Sequence, residues 1–208
     1  FAILGNEETC TGDSARRIGN EYLFQMQAEQ NIQNFEKYSV KKIVTQCPHC
    51  LTTLKNDYAE IGTELEVLHH SEFISELIKD GKIEPEASLD EDVTFHDACY
   101  VGRHHGEYDA PRDVISSVLS DNATIKEMPR NKQDSFCCGA GGGNMWYEIK
   151  QGKRINVERF EEAINTGVKK VATSCNFCMI MMEDGRKVTG QDKNCLLYTS
   201  PSPRDLMR

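Results

Sequence analysis

Short β-branched runs alternate with amphipathic stretches along this chain. Lys42 to Thr45, Leu65 to Leu68, Val93 to Phe95, Ala123 to Lys126 and Lys170 to Thr173 have the length and composition of buried strands. Between them, apolar positions recur at helical spacing over Ala15 to Lys37, Leu51 to Tyr58, Ser71 to Lys79, Arg112 to Ser120 and Arg154 to Asn165. Pro111 suits the first turn of its helix, and Gly81 and Gly167 suit helix C-termini. Such alternation predicts an α/β chain with mostly parallel sheets covered by helices.

The pattern repeats. Lys41-Lys42-Ile43-Val44-Thr45-Gln46-Cys47-Pro48-His49-Cys50 resembles Lys169-Lys170-Val171-Ala172-Thr173-Ser174-Cys175-Asn176-Phe177-Cys178 at an offset of 128 (175 − 47). The same offset, without gaps, places Cys10 on Cys138. Two segments agreeing on one offset predict two tandem copies of one small strand–helix unit. Residues 1–84 form the first copy, read as truncated at its start, and residues 91–190 form the complete second copy. The polar stretch Gly81 to Asp92, with Pro85, is the expected boundary. Phe1-Ala2-Ile3-Leu4-Gly5 reads as a chain entered partway through a strand, so the sequence is expected to be a fragment. Residues 191–208 lack periodicity and are expected to be a disordered or artefactual tail of the translated-adapter kind. Its Cys195 is therefore left out of every site.

Composition narrows the class. The 208 residues are 38% hydrophobic and 27% charged, ordinary for a globular protein with a real core. A net charge of −9 argues against sequence-independent nucleic-acid binding, which needs a basic surface. No apolar run is long enough to span a bilayer, so membrane contact is expected only through missing residues or a partner. Nine cysteines, an odd number with two Cys-x-x-Cys pairs and one vicinal pair, suit metal ligation in a reducing compartment better than a disulfide scaffold. The expected location is the cytoplasm or the cytoplasmic face of the inner membrane.

Each Cys-x-x-Cys falls where a strand ends and a helix begins. There the free N–H groups of the first turn favour thiolates and both sulfurs can face one point. The second copy offers five cysteines from three such junctions: Cys99, Cys137 with Cys138, and Cys175 with Cys178. The first offers Cys10, Cys47 and Cys50. Soft thiolates from several segments suit an iron–sulfur cluster. Structural zinc is the alternative, although five ligands is one too many and the pairs are widely spaced. A thioredoxin-like dithiol would leave Cys99 and the repeat unexplained. Gly139-Ala140-Gly141-Gly142-Gly143 reads as a collar around the site rather than a dinucleotide loop, since it matches that motif only loosely.

His96-Asp97-Ala98-Cys99-Tyr100-Val101-Gly102-Arg103, then Cys137-Cys138-Gly139, then Cys175-Asn176-Phe177-Cys178 resembles the CCG-type cysteine-rich domain family, with gaps of 37 and 36 residues. That family includes catalytic iron–sulfur subunits of heterodisulfide reductases, the iron–sulfur subunit of glycolate oxidase and a subunit of the anaerobic glycerol-3-phosphate dehydrogenase. It also includes oxidoreductases that link electron-transfer flavoprotein to menaquinone, the branch most similar here. The resemblance implies a [4Fe–4S] cluster, non-cubane in some members, on Cys99, Cys137, Cys138, Cys175 and Cys178. It implies a second, incomplete cluster site at Cys10, Cys47 and Cys50. It further implies an electron-transfer role between a flavoprotein donor (electron-transfer flavoprotein or an FAD subunit) and a quinone or disulfide acceptor. No catalytic residue is assigned. His49 could bond a cluster sulfur, His69 and His70 suit packing or capping, and His96 with Asp97 could brace the Cys99 loop. Arg16, Arg17, Arg103 and Arg112 could offset cluster charge or simply pair with carboxylates.

Overall fold

The computed structural model describes residues 1–86, 88–147 and 151–191, together with the backbone of Leu196–Thr199. Phe1 to Leu4 forms no strand, contrary to expectation, and Gly5–Glu7 makes a 3-10 turn. A lone apolar run without a neighbouring strand has no partner for its backbone groups, so nothing holds it extended.

The first copy runs α1 (Asp13–Arg17), α2 (Glu21–Lys37), β1 (Lys42–Thr45), α3 (Pro48–Thr52), a π-helical turn (Thr53–Asp57), α4 (Tyr58–Glu60), β2 (Glu66–His69) and α5 (His70–Lys79). The one helix expected over Ala15 to Lys37 is two. Gly19, at φ +83°, takes the left-handed turn that ends α1. Asn20 Oδ1 then accepts from the Leu23 N–H at 3.2 Å and starts α2. Phe24 and Ala28 of α2, four positions apart on one face, pack with Leu51, Leu54, Tyr58 and Val67 as the first core. β1 and β2 pair in parallel, with Lys42 opposite Glu66 and Thr45 opposite His69.

The second copy runs β3 (Val93–His96), α6 (Gly102–His105), α7 (Asp109–Ser116), 3-10 turns at Lys132–Asp134 and Gly141–Trp146, α8 (Ile155–Ile164), β4 (Lys170–Thr173), α9 (Asn176–Val188) and β5 (Leu196–Thr199). Its sheet is parallel, in the order β3-β4-β5. The α/β architecture with parallel sheets is therefore as expected, and Cys47, Cys99 and Cys175 do follow strands, but Cys137 and Cys138 lie between two 3-10 turns with no strand directly before them. Two elements differ. Ala123 to Lys126 makes a single bridge, Val93 to Ile125, instead of a strand, because the Thr124 N–H is taken by Asp92 Oδ1 at 2.7 Å and cannot extend a ladder. Leu196–Thr199, expected to lie in a tail without regular structure, lines the free edge of β4 as β2 lines β1. An apolar, β-prone run beside an unpaired parallel edge satisfies both backbones. Cys195 lies outside the described residues.

The 128-residue offset holds in three dimensions. It carries Asn176–Val188 onto 48–60, the span of α3, the π turn and α4, and it carries Ile155–Ile164 into α2. Equivalent segments also touch. Gly143 has no room for a Cβ, which would lie 2.7 Å from Ile18 Cγ2, so the glycine run of one copy presses on the end of α1 in the other.

Two features hold the second copy in place. Asp97, 4% exposed, receives Arg112 Nη1 at 2.8 Å and Nη2 at 2.9 Å, and the Lys132 N–H at 2.8 Å. This ties the end of β3 to α7 and to the loop before the vicinal cysteines. Gly185 lets α9 lie against α8: a Cβ there would sit 2.9 Å from Asn156 O and 2.9 Å from Phe160 Cβ. Arg112→Met, which leaves the Asp97 carboxylate buried and unpaired, is expected to cost about 3–5 kcal/mol in denaturant unfolding. Gly185→Val should lower stability by about 1–3 kcal/mol, measured the same way, because the contact at α8 outweighs any helix propensity regained.

Candidate metal centre

The carboxyl ends of β1, β3 and β4 deliver the chemistry-bearing residues to one region. Cys47 caps α3 and Cys175 caps α9, both from extended conformations. The Cys175 sulfur accepts from the Cys178 N–H at 3.5 Å. Gly139, at φ +87°, turns its N–H onto the Cys137 sulfur at 3.2 Å and crowds Ile155, where a Cβ would come within 3.1 Å. The glycine run then enters the 3-10 turn with Gly142 and Gly143 left-handed. It opens no α-helix of a βαβ unit, so the dinucleotide-loop alternative fails and a collar remains.

All eight cysteines of the described residues are free thiols. Cys138, Cys175 and Cys178 are buried, whereas Cys99 and Cys137 are half-buried. The five second-copy thiols share protons in a chain. Cys137 is held far below the usual thiol range by hydrogen bonds from Cys138 and Cys99. Cys138 is pushed up to about 12, chiefly by Cys137, and Cys99 is raised by the same neighbour. Cys175 falls to about 5 through Cys178 and, secondarily, His49, while Cys178 is driven up by Cys138 and Cys175. Sulfurs this close cannot all be thiolates by themselves. They can be when a cationic metal core lies among them.

The first-copy thiols are also brought together. Cys47 is lowered to about 7 by Cys50, which is raised in turn. Thr11 Oγ1 donates to the Cys50 sulfur at 3.3 Å, and the exposed Cys10 sulfur accepts from the Gly12 N–H at 3.4 Å.

His49 reaches across to the other copy while anchored in its own. Its Nδ1 donates to Asp13 Oδ2 at 2.9 Å, and the ring also bonds the Cys175 thiol. Tyr100 stacks on it at 4.2 Å and Phe177 meets it edge-on at 4.5 Å. Burial disfavours its charged form, but Asp13 and Cys175 outweigh burial and lift it to about 9. His69 both caps α5, accepting from the Ser71 N–H, and approaches the Ser174 carbonyl with Nε2 at 3.1 Å. Burial lowers it to about 4, so it stays neutral. Asp97 braces the Cys99 loop, as expected. The arginines pair rather than face the sulfurs: Arg16 with Glu21 and Glu60, Arg17 with Asp13 and Asp57, Arg112 with Asp97 and Glu127, and Arg103 with the Ser135 carbonyl.

Sequence reasoning missed Arg159 and the direction of His96. Arg159 is fully buried on α8 and donates from Nε to His96 Nδ1 at 2.9 Å. Its signal was a lone arginine on the face that also buries Asn156, Phe160 and Ala163. A ring nitrogen of His96 lies within 4.8 Å of the Cys138 and Cys178 sulfurs.

Two observations test the fit of an iron–sulfur group. His96 Nε2 is a buried polar atom without a protein partner among the described residues, on a ring that comes within 4.8 Å of the Cys138 and Cys178 sulfurs. Such an atom calls for a partner not made of protein. The donor set, five thiols from three segments with backbone N–H groups on two of the sulfurs, matches what iron–sulfur groups require. Cys99, Cys137, Cys138, Cys175 and Cys178 could hold one.

Comparison with known proteins agrees. The sequence profile of the CCG cysteine-rich domain matches residues 1–55 and 93–183. The chain is 48% identical over 198 residues to the probable iron-sulfur-binding oxidoreductase FadF of Bacillus subtilis, and 42% identical over 205 residues to the EtfAB:quinone oxidoreductase of Syntrophomonas wolfei. Each match covers 95% of this chain and 28% of the relative. It is 33% identical over 203 residues to a subunit of the dihydromethanophenazine:CoB–CoM heterodisulfide reductase of Methanosarcina barkeri, covering 92% of this chain and 48% of that one. The chain thus spans under half the length of these relatives, which are named as oxidoreductases or a subunit of one, the first of them iron–sulfur-binding. Repeat, cysteine spacing, site geometry and profile converge, and the chain belongs to the CCG cysteine-rich domain family.

Proposed function

We propose that this chain is the iron–sulfur electron-transfer domain of a larger oxidoreductase, holding a [4Fe–4S] cluster on Cys99, Cys137, Cys138, Cys175 and Cys178. Cys10, Cys47 and Cys50 form the protein side of a second, less complete site. The observation that carries the reading is the convergence of free thiols, with Cys138, Cys175 and Cys178 in one buried cluster and backbone N–H groups aimed at the Cys137 and Cys175 sulfurs. When bound, such a cluster supplies one-electron chemistry, which no side chain here can supply.

The chain's own residues bind and tune. Cys175, the N-cap of α9, receives the free Cys178 N–H of its first turn on its sulfur. Asp13 orients His49 so that its ring holds a proton against the Cys175 sulfur. Tyr100 and Phe177 pack around that ring and keep water from it. The donor fitting this reading is a flavoprotein, and the acceptor a quinone or a disulfide. Supporting it is the similarity to the EtfAB:quinone oxidoreductase and heterodisulfide reductase relatives. Among the described residues no helix is long and apolar enough to cross a membrane. Membrane attachment in this reading comes through a partner or through chain outside this sequence, on the cytoplasmic side.

Iron, acid-labile sulfide and zinc in anaerobically purified protein test the assignment. At least four irons and four sulfides per chain are expected on this reading. Cys175→Ser should lose the second-copy share while Cys10→Ser leaves that share in place. Zinc without sulfide would replace the electron-transfer reading with a structural one. His49→Leu is expected to keep the iron but to weaken the Cys175 site, seen as faster loss of iron to a chelator than in the parent protein.

A further inference from the structure

His96 is the one histidine fully enclosed at the end of β3, with no exposure to solvent. Its two ring nitrogens have different surroundings. Nδ1 receives the Arg159 Nε–H at 2.9 Å. Arg159 is itself fully buried, fixed by Nη1 to the Arg130 carbonyl at 2.9 Å and to Glu162 at 3.0 Å. A guanidinium has only N–H groups to offer, so the Nδ1 that faces it must present its lone pair. One ring nitrogen of a neutral imidazole carries the proton, and here only Nε2 remains. Protonating both nitrogens would set an Nδ1–H against the guanidinium, and burial with the Arg159 charge holds the ring neutral, its pKa lowered to about 3.

Nε2 has no hydrogen-bond partner among the described residues, and a ring nitrogen of His96 lies within 4.8 Å of the sulfurs of Cys138 and Cys178. By distance alone the three atoms could be taken as a ligand trio. The tautomer excludes that, because an Nε2 bearing hydrogen has no lone pair for a metal. The geometry points to His96 as a fixed hydrogen-bond donor to the sulfur framework at Cys138 and Cys178, its direction set by Arg159, and not as a metal ligand. This rests on the cluster reading above and adds to it a residue that sets the site's potential. An N–H aimed at sulfur favours the state with more negative charge, so it raises the reduction potential. Arg159 acts through His96 and is a positioning residue.

The test uses anaerobically purified protein labelled with 15N-histidine, reduced and examined by pulsed EPR, beside a potentiometric titration. The wild type should show a weak nitrogen coupling that is absent from His96→Gln. His96→Leu should keep its iron and sulfide while its midpoint potential moves negative, and His96→Gln, which retains an amide N–H at the ε position, should recover part of the shift. Should His96→Leu fold poorly, the wild-type coupling and the Gln variant suffice. A strong coupling of the direct iron–nitrogen kind, or equal potentials in all three proteins at equal iron content, would overturn the inference and leave the cluster assignment standing. Absence of iron and sulfide from the wild type would overturn both.

Discussion

Mutual repulsion among closely held sulfurs is the constraint on which the rest of this structure turns. Parallel strands end together, and in this chain each of β1, β3 and β4 ends on a segment that carries cysteine. The result is a buried set of thiols of which some ionise only because others stay protonated. A protein with no use for a cation there would be stabilised by replacing these thiols with apolar side chains. Its surroundings are built the other way. Backbone N–H groups of Gly139 and Cys178 meet sulfur, and the nearby His96 keeps a buried Nε2 that has no protein partner among the described residues.

The two copies work as a pair. His69 of the first copy meets the carbonyl just before Cys175, and His49 bonds the Cys175 thiol itself. Thr52 meets His105 at 2.9 Å and Ser75 donates to Asp113 at 3.1 Å across the same seam. The second site therefore depends on side chains that neither its own spacing nor its own strands provide.

Much of this was legible in the chain because it follows from period and spacing. The internal offset located both Cys-x-x-Cys helices, and the strand runs at Lys42 and Lys170 fell where β1 and β4 lie. What escaped depended on tertiary choices. Gly19 splits a helical pattern that looks continuous, and Asp92 takes the N–H that a strand at Thr124 needed. The π turn at Thr53–Asp57 breaks no sequence rule. His96 looked like a brace because its neighbour Asp97 is one. Its direction depends on Arg159, 63 residues away, and no local pattern connects the two.

The offset that aligns the copies also pairs His49 with Phe177, and these two rings touch, 4.5 Å apart and perpendicular. It likewise matches α1 to the turn at Gly141–Trp146, and Ile18 of one meets Gly143 of the other. Equivalent segments of the two copies thus lie against each other. At the ring contact the two halves have diverged, one supplying a proton-bearing imidazole and the other a bare aromatic ring. The departure from symmetry lies where it affects both halves at once. At one pair of equivalent positions, one half of the duplication brings a positive charge to the Cys175 sulfur and the other half brings none.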